Sequence, residues 1–370
     1  MRRSQPPFRA DHVGSLLRPA ALKEARAKRE RGEISAEQLT AIEDRAIEKV
    51  IRKQEEIGLK AVTDGEFRRA FWNYDFLGGL PGVEAYLGER KIKFQGAQPK
   101  PMMLRVTGKL GEFCAHPMIE HFKFVMAHST AIAKMTIPSP SSLHFRYGRD
   151  AVPESVYPSM DDFYRDLGTT YRKATRAFAD AGCRYLQLDE VNFAYLCDPK
   201  LCQLVAERGE DPQALPGIYA GVINAAISDL PPFVTTAMHL CRGNFRSTFV
   251  ASGGYEPVAE VLFNDIKVNA YFMEYDSERA GGFEPLRLVP KDKTIVLGLV
   301  TSKNGRLELG DELKRRIDEA TRFIALDQLC LSPQCGFAST EEGNILTEHE
   351  QWAKLELIVR VADEVWGRVG

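Results

Sequence analysis

The sequence predicts an α/β fold, a (β/α)8 barrel of the TIM type. Three observations predict it: eight short apolar runs ending in polar residues, amphipathic helix patterns between them, and a length of 370 residues that suits one barrel with an insertion. The runs end near Ser15, Glu66, Pro138, Glu190, His239, Glu274, Val300 and Cys335. A parallel strand buried on both faces needs a continuous apolar run of this kind. A doubly wound open sheet produces a similar alternation, so the count of eight is what favours the barrel.

The helices are read from caps and from apolar spacing. Ser35-Ala-Glu-Gln38 is a capping box, Leu39, Ile42, Ala46 and Val50 follow at helical spacing, and Gly58 closes the segment. Asp161 is expected to cap a second helix with the stripe Phe163, Leu167, Tyr171, Ala174 and Phe178, closed by Gly182. Asp311 opens a third, with Leu313, Ile317, Ala320 and Ile324. Leu355, Ile358, Val359, Ala362, Val365 and Trp366 form the stripe of a fourth. The stretch 75–117, rich in Gly and Pro and weak in periodicity, reads as an insertion between the second and third strands of a single barrel domain spanning 1–370. It is too short for a domain of its own.

Composition narrows the partners. With 49 basic and 51 acidic residues the formal charge is -2, which gives no global attraction to nucleic acid or to an anionic membrane. No window reaches the roughly 18 uncharged apolar residues of a membrane span, and the N-terminal MRRSQPPFRADH has no signal-peptide core, so a cytoplasmic protein is expected. Seven cysteines without a secretion signal suggest reduced thiols. The partners expected are small molecules, with a homo-oligomer left open.

In a (β/α)8 barrel every strand C-terminus faces one mouth, so chemistry is sought at the run ends. His239-Leu240-Cys241 closes the fifth run, Glu274 the sixth, and Cys335 the eighth in Ser-Pro-Gln-Cys-Gly. Imidazole, two thiolates and a carboxylate make a tetrahedral zinc set. Taken singly, His239 and Cys241 read as a solvated His beside a packed Cys, and Cys335 as a small buried hydrophobe. Convergence of four side chains from three run ends on one mouth turns the balance toward Zn2+. Asp64-Gly-Glu66 and Asp189-Glu190 also place carboxylates at the mouth, suited to a substrate ammonium, and Ser15 can donate to a substrate carboxylate. Helix capping at the βα turns explains those positions equally well. His12, Arg18, Arg68, Arg69, His144 and Arg146 are the basic side chains near run ends that can neutralise an anion, two of the six being the expected yield. Cys114, Cys183, Cys197, Cys202 and Cys330 have no metal spacing and read as structural.

Six segments, in order, resemble the cobalamin-independent methionine synthase family, in its short form matching the catalytic C-terminal half of the long enzyme. They are HVGSLLRP at 12–19, VTDGEFRR at 62–69, QLDEVNFAY at 187–195, MHLCRGNF at 238–245, MEYD at 273–276 and SPQCGF at 332–337. The resemblance implies a zinc-dependent S-methyltransferase that methylates the homocysteine thiol to methionine, with methyltetrahydrofolate or another small methyl donor. By the same resemblance His239, Cys241, Glu274 and Cys335 are the zinc ligands, and Ser15, Glu66 and Asp189 hold the amino-acid part of homocysteine. Two positions depart from the long enzymes: His144 falls where they carry a folate-stacking Trp, and Thr301 where they carry a proton-donating His. His12 and Asp64 are the candidates to replace that acid. A second reading keeps zinc and a thiol but takes the epoxyalkane coenzyme M transferase type, with His144 and Arg146 on a sulfonate. A third is a zinc-binding accessory protein without turnover.

Overall fold

The computed structural model describes residues 3–88 and 92–367. Nine strands occur among them: β1 (Ala61–Val62), β2 (Val83–Leu87), β3 (Met102–Val106), β4 (Ile132–Pro138), β5 (Tyr185–Glu190), β6 (Thr235–Leu240), β7 (Ala270–Glu274), β8 (Thr294–Val300) and β9 (Leu329–Pro333). Seven form one curled parallel sheet in the order β1-β4-β5-β6-β7-β8-β9. The other two pair antiparallel as a hairpin between β1 and β4, inside the stretch expected as an insertion, of which 89–91 lie outside the described residues.

The eighth place, expected to be a strand ending near Ser15, is taken by irregular chain. Residues 9–11 touch β9 through a single parallel bridge, Ala10 to Leu331, with Asp11 N–H on Leu331 O at 3.0 Å and Leu331 N–H on Arg9 O at 2.8 Å. On its other side the Thr63 hydroxyl donates to Gly14 O at 2.6 Å and Leu16 N–H to Gly65 O at 3.0 Å. The segment thus fills the gap between β9 and β1. Side-chain bonds and turns replace the ladder there because Gly14, at φ 138°, leaves extended geometry. Its Cβ would also strike Thr136 Cγ2 at 2.8 Å.

The helices follow the apolar stripes more closely than the caps. Ser35 and Gln38 close both bonds of their capping box at the start of Ala36–Glu56. The second helix runs Met160–Asp180, and its cap is the Ser159 hydroxyl rather than Asp161. Asp161 instead stands in the first turn, where a carboxylate favours the exposed N–H groups. The third, Gly310–Ala320, opens at Leu309 with Asp311 likewise in its first turn. The fourth, Glu348–Trp366, carries a capping box of Thr347 and Glu350. Phe163, Leu167, Tyr171, Ala174 and Phe178 are all buried as expected. The large side chains among them contribute on the order of 1.5–3 kcal/mol each. Helix stripes and outward strand faces make one large core, while Phe8, Val13, Ala61, Tyr185, Ala237, Ala270, Phe272, Val296 and Cys330 form a second cluster enclosed by the strands. No helix among the described residues is long and apolar enough to cross a membrane.

Candidate metal centre

Strand register sets the mouth. β5 and β6 pair Asp189 with His239, so both side chains leave the sheet at the same level, and Cys241 follows one residue beyond the end of β6. Cys335 comes two residues after β9, in a turn whose Gly336 lies so close to Ser15 that a Cβ there would overlap the serine hydroxyl. One ligand atom from each of His239, Cys241 and Cys335 lies within 4.8 Å of the others, and all three residues are buried. Both ring nitrogens of His239 are enclosed without a hydrogen-bond partner among the described residues. A buried imidazole left so is costly unless it meets an ion or a ligand.

The cluster's protons are shared unequally. Cys241 donates toward Cys335 and His239 adds its charge, which holds the Cys335 thiol well below the usual range, while the same contact and burial push Cys241 up. Burial opposes charge on His239, but Cys335 overrides it and raises the imidazole. One thiolate beside an imidazole and a second thiol is a donor set that fits Zn2+, and among the described residues this is the one such group of three.

Glu274, the expected fourth ligand, ends β7 fully buried but outside that group. Its Oε1 accepts from Arg279 at 2.5 and 3.2 Å and its Oε2 from Arg242 N–H at 2.8 Å. Burial alone would raise its pKa, yet Lys303, Arg242 and Arg279 together hold it down as a carboxylate.

Ser15, Glu66 and Asp189 line the same cavity as the three metal-type side chains. Glu66 sits at φ 61° in a turn where Asp64 accepts its N–H at 2.8 Å, a left-handed conformation uncommon outside glycine. That conformation is held by Arg18, whose guanidinium bonds Glu66 O at 2.7 Å. The Glu66 Oε1 takes Thr136 at 3.0 Å and Arg69 at 3.4 Å, leaving Oε2 buried and without a partner. Asp189 accepts from Gln187 at 2.7 Å. Burial, reinforced by the Glu66 charge, pushes Asp189 up to about 7, and burial raises Glu66 as well. Burial raises both carboxyls in spite of Arg69 and Arg18 beside Glu66, and with Glu66 Oε2 open the pair can receive a cation.

The remaining expected residues divide. Arg146 lines the cavity. His144 does not: it is fully buried, with Nδ1 on Tyr219 at 2.8 Å and Nε2 on Glu210 at 2.9 Å. Trp72 and Phe94, two of the three aromatic side chains at the cavity beside Tyr195, had been singled out by no sequence spacing. Asp64 makes its turn, and Glu190 accepts from Ser141 and from Asn192 N–H at 2.6 Å, although Val191 and not Glu190 is the N-cap of the short helix Asn192–Tyr195. His12 lies inside the barrel near Ala61 O at 3.3 Å. Thr301 accepts from Lys303 N–H at 3.2 Å. Tyr195, Asn244 and Ser339 also line the cavity, with Val13, Val191 and Gly243. All seven cysteines are free.

The sequence profile described as the cobalamin-independent synthase catalytic domain matches residues 8–108 and 154–364. The chain belongs to this family. Within this methionine-synthase-like methyltransferase family it is 51% identical to the uncharacterized protein YxjH of Bacillus subtilis, over 97% of this chain and 95% of that one. It is 25% identical to the methionine synthase of Pyrococcus abyssi over 96% and 94%. The solved structure of a putative vitamin-B12 independent methionine synthase from Listeria monocytogenes superposes with a TM-score of 0.80 at 40% identity, covering 99% of this chain and all of that one.

Proposed function

We propose that this chain is a cytoplasmic, single-barrel, zinc-dependent methyltransferase that moves a methyl group from a small donor to the thiol of homocysteine, giving methionine. The observation that carries the reading is the buried His239, Cys241 and Cys335 trio, with both imidazole nitrogens unpartnered, sharing a cavity with Glu66 and Asp189. That trio would hold zinc, with Glu274 as an exchangeable fourth ligand, and the bound metal would supply a thiolate at neutral pH from a thiol that is otherwise only a few per cent ionised.

The chain's own residues do the rest. The free Glu66 Oε2 and the Asp189 carboxyl take the substrate ammonium, whose charge opposes the burial that raises both carboxyls. Ser15, against Gly336, donates to the substrate carboxylate. Arg279 holds Glu274 ionised when the carboxylate is away from the sulfurs. In the transfer a sulfur–carbon bond forms as the donor–carbon bond breaks, the bonding pair stays with the donor, and the thiol proton leaves to solvent or to the donor. The carboxylate pair favours an amino-acid thiol over a sulfonate thiol, which has no ammonium for it to meet.

Purified protein should hold about one zinc per chain. Zinc-loaded protein given homocysteine and a panel of methyltetrahydrofolate triglutamate, a methylated corrinoid and a simple sulfonium should form methionine with at least one donor. A zinc-edge spectrum that gains a sulfur with coenzyme M but none with homocysteine would overturn the choice of acceptor.

A further inference from the structure

The cavity has a second charged wall that the acceptor does not use. Arg146, in the loop after β4, is only 7% exposed and lines the cavity beside Tyr195. No described residue gives it a carboxylate partner, and its Nε is enclosed without a hydrogen bond. The groups that bear on its charge are the phenols of Tyr195, Tyr74 and Tyr147 and the Cys241 thiol. The Tyr195 hydroxyl is also buried and unpartnered.

A guanidinium cannot shed its proton, so burying one without an anion is costly, and a negatively charged group that reaches it is held strongly. The acceptor's own carboxylate is not that group. It lies two bonds from the ammonium on Glu66 and Asp189, where Ser15 stands, and the cations weighing most on Glu66 are Arg69 and Arg18. The Cys241 thiol is among the groups that bear on the Arg146 charge, and Trp72 and Phe94 offer apolar faces in the same cavity. Arg146 also falls in 109–153, between the two segments that match the family profile.

We propose that Arg146 and the Tyr195 hydroxyl form an anion subsite that receives a carboxylate of the methyl donor, whose planar body lies along Trp72 and Phe94. This rests on the methyl-transfer reading above, and its test separates the two. Calorimetric titration of the zinc-loaded protein would use p-aminobenzoylglutamate, its uncharged diamide, and homocysteine. The acid should bind about tenfold or more tightly than the diamide, since a buried guanidinium rewards a charged partner. Arg146→Gln should erase that preference while zinc content and homocysteine affinity stay within about twofold. Arg146→Lys should restore part of it, as it keeps the charge without the fork. Tyr195→Phe should weaken the acid alone, which keeps the proposal testable if Arg146→Gln folds poorly.

An acid bound no better than the diamide would overturn the subsite while leaving the acceptor chemistry intact. Loss of zinc or of homocysteine affinity in Arg146→Gln would also overturn it, assigning Arg146 to the metal or the acceptor. Failure of the wild-type protein to bind zinc or homocysteine would instead overturn the methyl-transfer reading.

Discussion

Two buried polar clusters lie inside this barrel, and they differ in whether their atoms are satisfied. Toward the strand N-termini, Lys134 donates to Asp11 at 3.3 Å and to His12 O at 2.6 Å, and stands 4.0 Å from the Phe272 ring centre. Asp11 also accepts from the Tyr185 hydroxyl at 2.9 Å and from the N–H groups of Phe8 and His12 at 3.2 and 2.8 Å. At the strand C-termini, His239, Glu66, Tyr195 and Arg146 each leave a buried polar atom without a partner. Apart from His12 Nδ1 the first cluster closes on itself and holds the barrel together, whereas the second leaves atoms open on four residues and is complete only with something bound. The same backbone spacing serves both ends, so the division between stability and function is made by hydrogen-bond accounting.

The largest expected contrast comes from removing one charge at each end. Lys134→Met leaves Asp11 buried and uncompensated, and should cost about 3–5 kcal/mol in urea unfolding with zinc content unchanged. Cys335→Ala should do the reverse, abolishing zinc binding while the metal-free protein unfolds within about 1 kcal/mol of the wild type. A zinc-loaded Cys335→Ala protein would break the comparison outright.

A smaller effect belongs to His12. Burial, with Lys134 adding to it, lowers its pKa from the ordinary 6.5 to about 4. Between those values the unfolded chain binds the proton and the folded chain does not. The stability from this site is therefore complete above about pH 6.5 and falls away as pH drops toward 4, by on the order of 3 kcal/mol at most. His12→Gln should flatten that part of the stability profile, and an unchanged slope would show that the site titrates normally.

The smallest contrast uses one substitution twice. Tyr185→Phe removes a donor from Asp11 and should cost about 1–3 kcal/mol. Tyr195→Phe removes a hydroxyl that bonds nothing, so its stability should stay within about 0.5 kcal/mol or rise. Equal losses at both positions would mean that the mouth is better satisfied than its geometry shows.

Much of this was legible in the sequence, because it rests on local pattern. The capping box at Ser35, the stripe from Phe163 to Phe178 and the apolar runs follow from backbone periodicities that a few neighbouring residues reveal. His239 and Cys241 were legible as a pair, and Cys335 joined them through the rule that barrel strands end on one face. The cap at Ser159 was misplaced onto Asp161 because both residue types cap helices, and backbone geometry makes the choice.

What the sequence determined by itself was the alternation of strands and helices and the set of residue types able to reach the mouth, since both depend on short-range order. Only the tertiary structure decided which of those residues are spent. Glu190, Asp64 and His144 are consumed by neighbours. His239, Glu66, Tyr195 and Arg146 keep atoms unpartnered, and Trp72 and Phe94 arrive at the cavity from loops with no periodic signal. Whether a buried polar atom has a partner depends on chain segments far apart in sequence that meet only once the barrel closes.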